Sequence, residues 1–430
     1  MRLPIYAACL ITVVASARAS DDYEQPPISY SDSQPNDAVS RLQARLDKRE
    51  VVFSGSERDA VRQILHELKI PETSQMLVFS KTSVQRMRIS PQNPRALYFN
   101  DDCYVGWVPG GMVEVADMDP KLGPIFYTID PIERGSAVQR FRRDANCLSC
   151  HAANFTRDIP GVFARSVFAE ATGSPIFNAG SEVVDHTTPF EQRWGGWYVT
   201  GKHGAGRHRG NVFVEDNNET VTLDMERGAN LKNLDAFINP STYLMPTSDI
   251  VALMIFEHQI TVHSALTRAN YDCLRMLAYQ RGLQESFKER LTDEPAYDSV
   301  KSVFKNSTEA VLDALLYKDE APLPAGGIQG SKAFRESFEK LGKHTADARS
   351  LHELDLQQRL PKYRCSHLIH STQFHALPKP LLKQISQRLH RILTEPESEK
   401  RYAYLSADER KTIASILRET EPELTADWPK

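Results

Sequence analysis

Cys147-Leu148-Ser149-Cys150-His151 is a run whose residue types and spacing could do chemistry. The C-x-x-C-H pattern is that of covalent haem c attachment. Cys147 and Cys150 lie on one turn of chain and can form thioethers with the two vinyl groups, while His151 binds iron from one face as the proximal ligand. A haem held without covalent bonds has no need of this spacing. A thioredoxin-type disulfide and half of a zinc site fit less well, because no βαβ pattern surrounds the cysteines and no second C-x-x-C exists. One such motif implies one haem.

The sixth iron position needs a separate donor, and several histidines are candidates. His258 and His263 fall in a long apolar helical pattern but on different sides of it. His258 shares a stripe with Val251, Ile255, Val262 and Ala265, and His263 with Phe256, Ile260 and Thr267. Each is a candidate distal ligand or acid–base group; the plainer reading is a hydrogen-bonded core histidine. His203 and His208, together with His186, belong to a dense stretch from Asp185 to His208 that includes Arg193-Trp194-Gly195-Gly196-Trp197-Tyr198. Its aromatics could cover a porphyrin face, and its glycines could let the backbone approach a flat cofactor; the alternative is an aromatic strand followed by a solvated loop. Met225 and Met245 are the methionine candidates and have no distinguishing context.

Arg165 interrupts the alternating apolar run from Gly161 to Phe168, and a half-buried guanidinium demands a charged partner, so it is the candidate for a haem propionate. Arg142 and Arg143 read more readily as solvated charges. His367, His370 and His375 cluster near Cys365, but their spacing does not put several nitrogens on one helix face and no carboxylate pattern accompanies them, so they are not read as a metal site.

The elements that must position these residues divide the chain in two. Residues 37–245 carry two short helical patterns, Ala38 to Lys48 and Ser56 to Leu68. Short β-type runs follow at Met76–Phe79, Ala96–Phe99, Tyr104–Trp107, Val113–Val115 and Ile125–Thr128, with Pro109-Gly110-Gly111 as a hairpin turn. Residues 246–430 are helical in pattern, led by a long helix from Asp249 to about Gln280 that Ser248 can cap. The expected class is α+β, with a β-rich portion holding the haem motif followed by a mostly α-helical portion. This departs from the all-helical plan of small cytochromes c.

Arg2, an apolar run from Ile5 to Ala15 and Ala17-Arg18-Ala19 predict a signal peptide over 1–19, and hence a periplasmic or secreted bacterial protein. No other stretch is expected to span a bilayer. Residues 20–36, rich in Asp, Ser, Pro and Gln, predict a disordered lead-in. Loss of Arg2 and Arg18 with the leader takes the formal charge from −4 to −6, without the basic blocks of a nucleic-acid binder. Cys103, Cys273 and Cys365 remain outside the motif and allow one disulfide, Cys273 with Cys365, or three buried thiols.

The CLSCH run resembles the attachment site of bacterial c-type cytochromes. Tyr98-Phe99-Asn100-Asp101, Tyr104-Val105-Gly106-Trp107, Arg193 to Gly201 and Glu257-His258-Gln259 resemble a family of large exported haem c proteins of unassigned activity. The resemblance implies Cys147, Cys150 and His151 as haem-binding residues and implies no catalytic residue. Two functions are therefore expected in competition. One is electron transfer with a protein or small-molecule redox partner; the other is a haem-dependent oxidoreductase, a peroxidase or oxidase, with an open sixth position. A gas or redox sensor is a third, weaker reading.

Overall fold

The computed structural model describes residues 22–130, 139–214, 223–395 and 400–429, so the leader expected over 1–19 lies outside the described residues. The class is α+β, with an antiparallel sheet in the N-terminal half and helices in the C-terminal half. Two helices, α1 (Ala38–Asp47) and α2 (Glu57–Glu67), open the fold; Asp37 with Ser40 and Ser56 with Asp59 form their capping boxes. Strands β1 (Met76–Val78), β2 (Arg95–Phe99), β3 (Cys103–Trp107), β4 (Val113–Asp119) and β5 (Gly123–Ile129) then form an antiparallel meander. A two-residue strand, β6 (Arg142–Arg143), extends it on one side. After the haem motif, whose last four residues form a single turn α3 (Leu148–His151), a small pair β7 (Ala164–Val167) and β8 (Ser181–Val184) stands apart. Strand β9 (Trp197–Tyr198) then returns to β1 and completes seven strands in the order β6-β5-β4-β3-β2-β1-β9.

The period-2 alternation decides what each face of the sheet covers. Ala96, Tyr98, Val105, Trp107, Val115 and Tyr127 point to the side packed by α1 and α2. The other side presents Phe99, Tyr104 and Met118 to helix α4 (Ile250–Phe287), whose Phe256 ring meets that of Tyr104 at 5.5 Å. Each fully buried Leu, Ile or Phe of α4 is worth about 1.5–3 kcal/mol. α4 also faces the C-terminal helices α5 (Asp298–Leu315), α6 (Lys332–Leu341), α7 (Thr372–His375), α8 (Lys379–Thr394) and α9 (Ala407–Thr420), and it shares buried cores with both the sheet and these helices. The boundary read at 246 is thus a change of composition; packing is continuous across it.

Three expectations need correction, and one choice left open is decided. Residues 22–36 are ordered, because Tyr23, Ile28 and Tyr30 are buried in the first core and the Tyr30 hydroxyl donates to the Pro124 carbonyl at 2.8 Å. Three apolar anchors outweigh the polar composition around them. Asp249, not Ser248, caps α4, accepting from Val251 and Ala252; Ser248 donates to the Tyr198 carbonyl instead and ties α4 to β9. α4 itself is long and apolar enough to span a bilayer by length and composition, but 83% of that apolar window is buried within the protein. Cys273 and Cys365 share a core as separate thiols, and Cys103 is buried apart from them. Burial pushes both Cys273 and Cys365 up to about 12.

Candidate functional site

Edge strand β6 delivers the chain to the motif. The Asp144 amide donates to the Phe126 carbonyl of β5 at 3.0 Å, and the Asp144 side chain accepts from Asn146. The turn that follows leaves Cys147 half-buried and Cys150 exposed, both as free thiols. His151 is held on several sides. Its ring lies between Phe126, at 4.7 Å, and Phe163, at 5.0 Å. Its Nδ1 is 2.9 Å from the Gly161 carbonyl, an acceptor only, so Nδ1 carries the proton and Nε2 keeps its lone pair. Burial holds the ring down at about 4, hence neutral. A histidine that donates Nδ1–H to a backbone carbonyl and offers a neutral Nε2 is the form in which imidazole binds iron.

The ground beside the motif is the sheet face on which Leu97, Gly106, Glu114 and Thr128 stand in register. Leu97, Ala116, Arg95 and Glu114 are only partly covered there. The positive charge of Arg95 acts on both Cys147 and His151, and Glu114 acts on Cys147. Arg95 lies over Gly106, where an added Cβ would sit 2.4 Å from its Nη2, and it pairs with Glu114 at 2.6 Å. The Nε of Arg95 is buried without a hydrogen-bond partner. An apolar shelf with one charged pair, an accessible pair of thiols and an oriented imidazole fits a flat, covalently held cofactor with acidic side groups. On the far side of Phe163 is a cavity of about 640 Å³, bounded also by Phe155, His186, Ile260, Ala265 and Ala310.

Arg165 is half-buried. Its guanidinium lies over the rings of Phe155, at 4.5 Å, and Phe177, at 5.3 Å, donates to the Ser181 hydroxyl, and has no carboxylate partner among the described residues. It is close enough to Cys150 for the two to interact electrostatically. Arg142 pairs with Asp130 at the surface, and Arg143 donates to the carbonyls of Tyr30, Ser31 and Ser33, so neither is free for a propionate.

The four distal candidates are all buried, and every ring nitrogen among them is engaged within the protein except Nε2 of His208, which is buried without a partner. His258 stacks on Tyr317 at 3.7 Å, with Nε2 at 2.8 Å from the Ser366 hydroxyl and Nδ1 facing His186 Nδ1. His263 binds the Asp101 carbonyl through Nε2 and Gln373 through Nδ1. His203 donates Nδ1–H to the Gly206 carbonyl and accepts the Asn230 amide on Nε2. His208 accepts the Gly210 amide on Nδ1, which puts its proton on Nε2 and leaves no lone pair there. Of the stretch from 185 to 208, Trp197 and Tyr198 form the buried aromatic strand β9, and the turn after it exposes Lys202, Gly204 and Ala205 while burying His203 and His208. Gly195 and Gly196 allow close passage past Val167 and Ser80: an added Cβ would lie 2.3 Å from the Val167 carbonyl and 2.6 Å from the Ser80 Cβ.

His208 gives a pH prediction. Burial, then the charges of His203 and Arg207, lower it to about 3, below its unfolded value of about 6.5. A lowered histidine contributes stability that is complete above the unfolded value and lost as pH falls towards the folded one. Between about pH 7 and pH 5 this imidazole should cost the native state about 2 kcal/mol. Urea unfolding at both values, for wild type and His208→Gln, should show the variant losing less on acidification by about that amount; equal losses would refute the assignment.

Another group of side chains escaped the sequence reading. Asp101, in the β2–β3 turn, lies 3.2 Å from Nε2 of His352 and 3.5 Å from Nε2 of His367. His370 and His375 instead pair with Glu421, at 2.5 and 3.1 Å, so the three clustered histidines serve two different carboxylates, both distant in sequence. Local spacing carries no signal of either arrangement. No protein family, curated protein or solved structure matches this chain.

Proposed function

We propose that this is an exported bacterial c-type cytochrome that binds one haem through Cys147, Cys150 and His151 and transfers electrons. The observation that carries the reading is His151, neutral and oriented by Gly161, beside two free thiols on a partly open sheet face. Bound there, haem supplies an iron centre that cycles between two oxidation states. The protein's own residues do the rest. Cys147 and Cys150 would hold the group, and His151 would bind its metal with a basicity raised by the Nδ1–H bond to Gly161. Phe126 and Phe163 pack against the ring and shield it from water. Arg165 would neutralise a propionate near Cys150. Because Cys150 is exposed, one edge of the group would lie at the surface, where a redox partner can approach.

A second reading, a haem-dependent oxidoreductase with an open sixth position, is favoured by a specific observation: His203, His258 and His263 have both ring nitrogens engaged elsewhere, and His208, whose Nδ1 accepts from Gly210, has on its buried Nε2 a proton and no lone pair to offer. An absorption spectrum of the exported protein, oxidised and reduced, with and without carbon monoxide, separates the two. A low-spin spectrum that carbon monoxide leaves unchanged supports electron transfer through a six-coordinate iron. A high-spin spectrum that shifts promptly supports the open site. Absence of haem after acid–acetone extraction of the protein pellet removes both readings.

A further inference from the structure

We infer that Asp101, His352 and His367 form a second metal site, for a divalent cation of the zinc class, that fastens the sheet to the C-terminal layer. One carboxylate oxygen from Asp101 and one imidazole nitrogen from each histidine all lie within 4.8 Å of one another. The two histidines are 2% exposed, and their rings lie 4.4 Å apart.

Two of the three separations are those a tetrahedral ion imposes. With bonds of about 2.0–2.1 Å, neighbouring ligand atoms in a tetrahedron are about 3.4 Å apart. From one oxygen of Asp101, Oδ1, His352 Nε2 lies at 3.4 Å and His367 Nε2 at 3.5 Å. Hydrogen bonds alone leave this cluster poorly satisfied. Gln259, fully buried on α4, brings its Nε2 to 3.2 Å from His367 Nε2 while its Oε1 is buried with no partner. If His367 carries its proton on Nε2, two donors face each other. If it does not, a lone pair faces the Asp101 carboxylate. A cation among the three ligands removes the conflict, and rotation of the Gln259 amide brings the orphaned oxygen onto the same point as a fourth donor. Two histidines, a carboxylate and an amide or water oxygen suit zinc better than the oxygen-only sets of calcium or magnesium.

The ligands come from the β2–β3 turn, from the segment between α6 and α7, and from α4 if Gln259 joins. An ion there would cross-link three layers with no sequence-local motif, which is the use structural zinc has in other folds.

The test uses the haem-loaded full-length protein, so that Cys147, Cys150 and His151 are already committed. After treatment with a chelator and exposure to zinc chloride, elemental analysis should find one zinc per haem iron, and added zinc should raise the thermal midpoint. Asp101→Asn, His352→Gln and His367→Gln, checked for native circular dichroism and haem content, should each weaken zinc binding at least about tenfold. His375→Gln should bind as wild type does. The inference is overturned if wild-type protein takes up neither zinc nor cobalt, a result independent of how the variants fold, or if folded triad variants bind zinc as tightly as wild type.

Discussion

A Cys147→Ser, Cys150→Ser double variant is expected to contain no covalently bound haem. The wild-type protein, exported from a host with haem-attachment machinery, should retain haem through denaturing electrophoresis. The double variant should give a colourless band, because no other thiol among the described residues is positioned to replace the pair. Cys103, Cys273 and Cys365 are all buried, and none is followed by a histidine as Cys150 is. His151→Ala separates attachment from ligation: both thioethers can still form while iron loses its oriented nitrogen, so haem should stay on the gel while the spectrum changes. Haem staining of equal strength in the double variant would remove the attachment site from Cys147 and Cys150. The effect is all-or-none because it concerns bonds formed, not an equilibrium shifted.

Glu257→Ala is expected to destabilise the fold by about 3–5 kcal/mol. Glu257 and Arg193 form an ion pair at 2.7 Å, with each side chain 2% exposed. Burial pushes the Glu257 carboxyl up to about 7, and Arg193 pulls against that shift. Arg193 also donates to the carbonyls of Thr188 and His186, so one guanidinium holds the 186–193 segment onto α4. Alanine at 257 would leave a buried cation with no counter-charge. Replacing both partners, as in Arg193→Met with Glu257→Leu, should restore much of the loss, because the desolvation cost of the pair disappears with it. Urea unfolding of the two single variants and the double variant measures this directly. Additive losses would show that the pair is not coupled as its geometry requires.

These two predictions mark the reach of sequence reading in this protein. The Cys147–His151 pentapeptide stands out in the sequence because the proposed haem attachment would need cysteines and a histidine within five consecutive residues, a constraint that local spacing records in full. Helices α1 and α2 and the strands β1 to β5 were legible because period and capping are also local: Ser56 with Asp59 predicts the start of α2, and Val113-Glu114-Val115 the alternation of β4. The strand ends were underestimated, since β4 continues through Asp117 and Asp119, polar residues that read as a break. Asp117 is tolerated there because it accepts from the Val39 amide of α1, and its carboxyl rises to about 7 through burial and the neighbouring Asp37. The Arg193–Glu257 pair, the Asp101–His352–His367 cluster and the four engaged histidines were not legible. Each joins residues that only the tertiary fold brings together, and a histidine on an apolar stripe looks the same whether it faces iron, a serine or another histidine. Arg165 is the intermediate case. Its single charge in an alternating strand announced an unusual environment, and its two aromatic neighbours and missing carboxylate came only from the fold.

Strand β9 pairs with β1, the first strand of the meander, although the haem motif and the β7–β8 pair lie between them in the chain. The sheet's last seam can therefore close only after a long excursion has been gathered in, and such closures are slow because the entropy of the loop must be overcome before any pairing is gained. The thiols ride on that excursion. On the proposed haem reading, both sulfurs sit by edge strand β6, at the opposite end of the sheet from the β1–β9 seam, so attachment would neither hinder that closure nor be shut out by it.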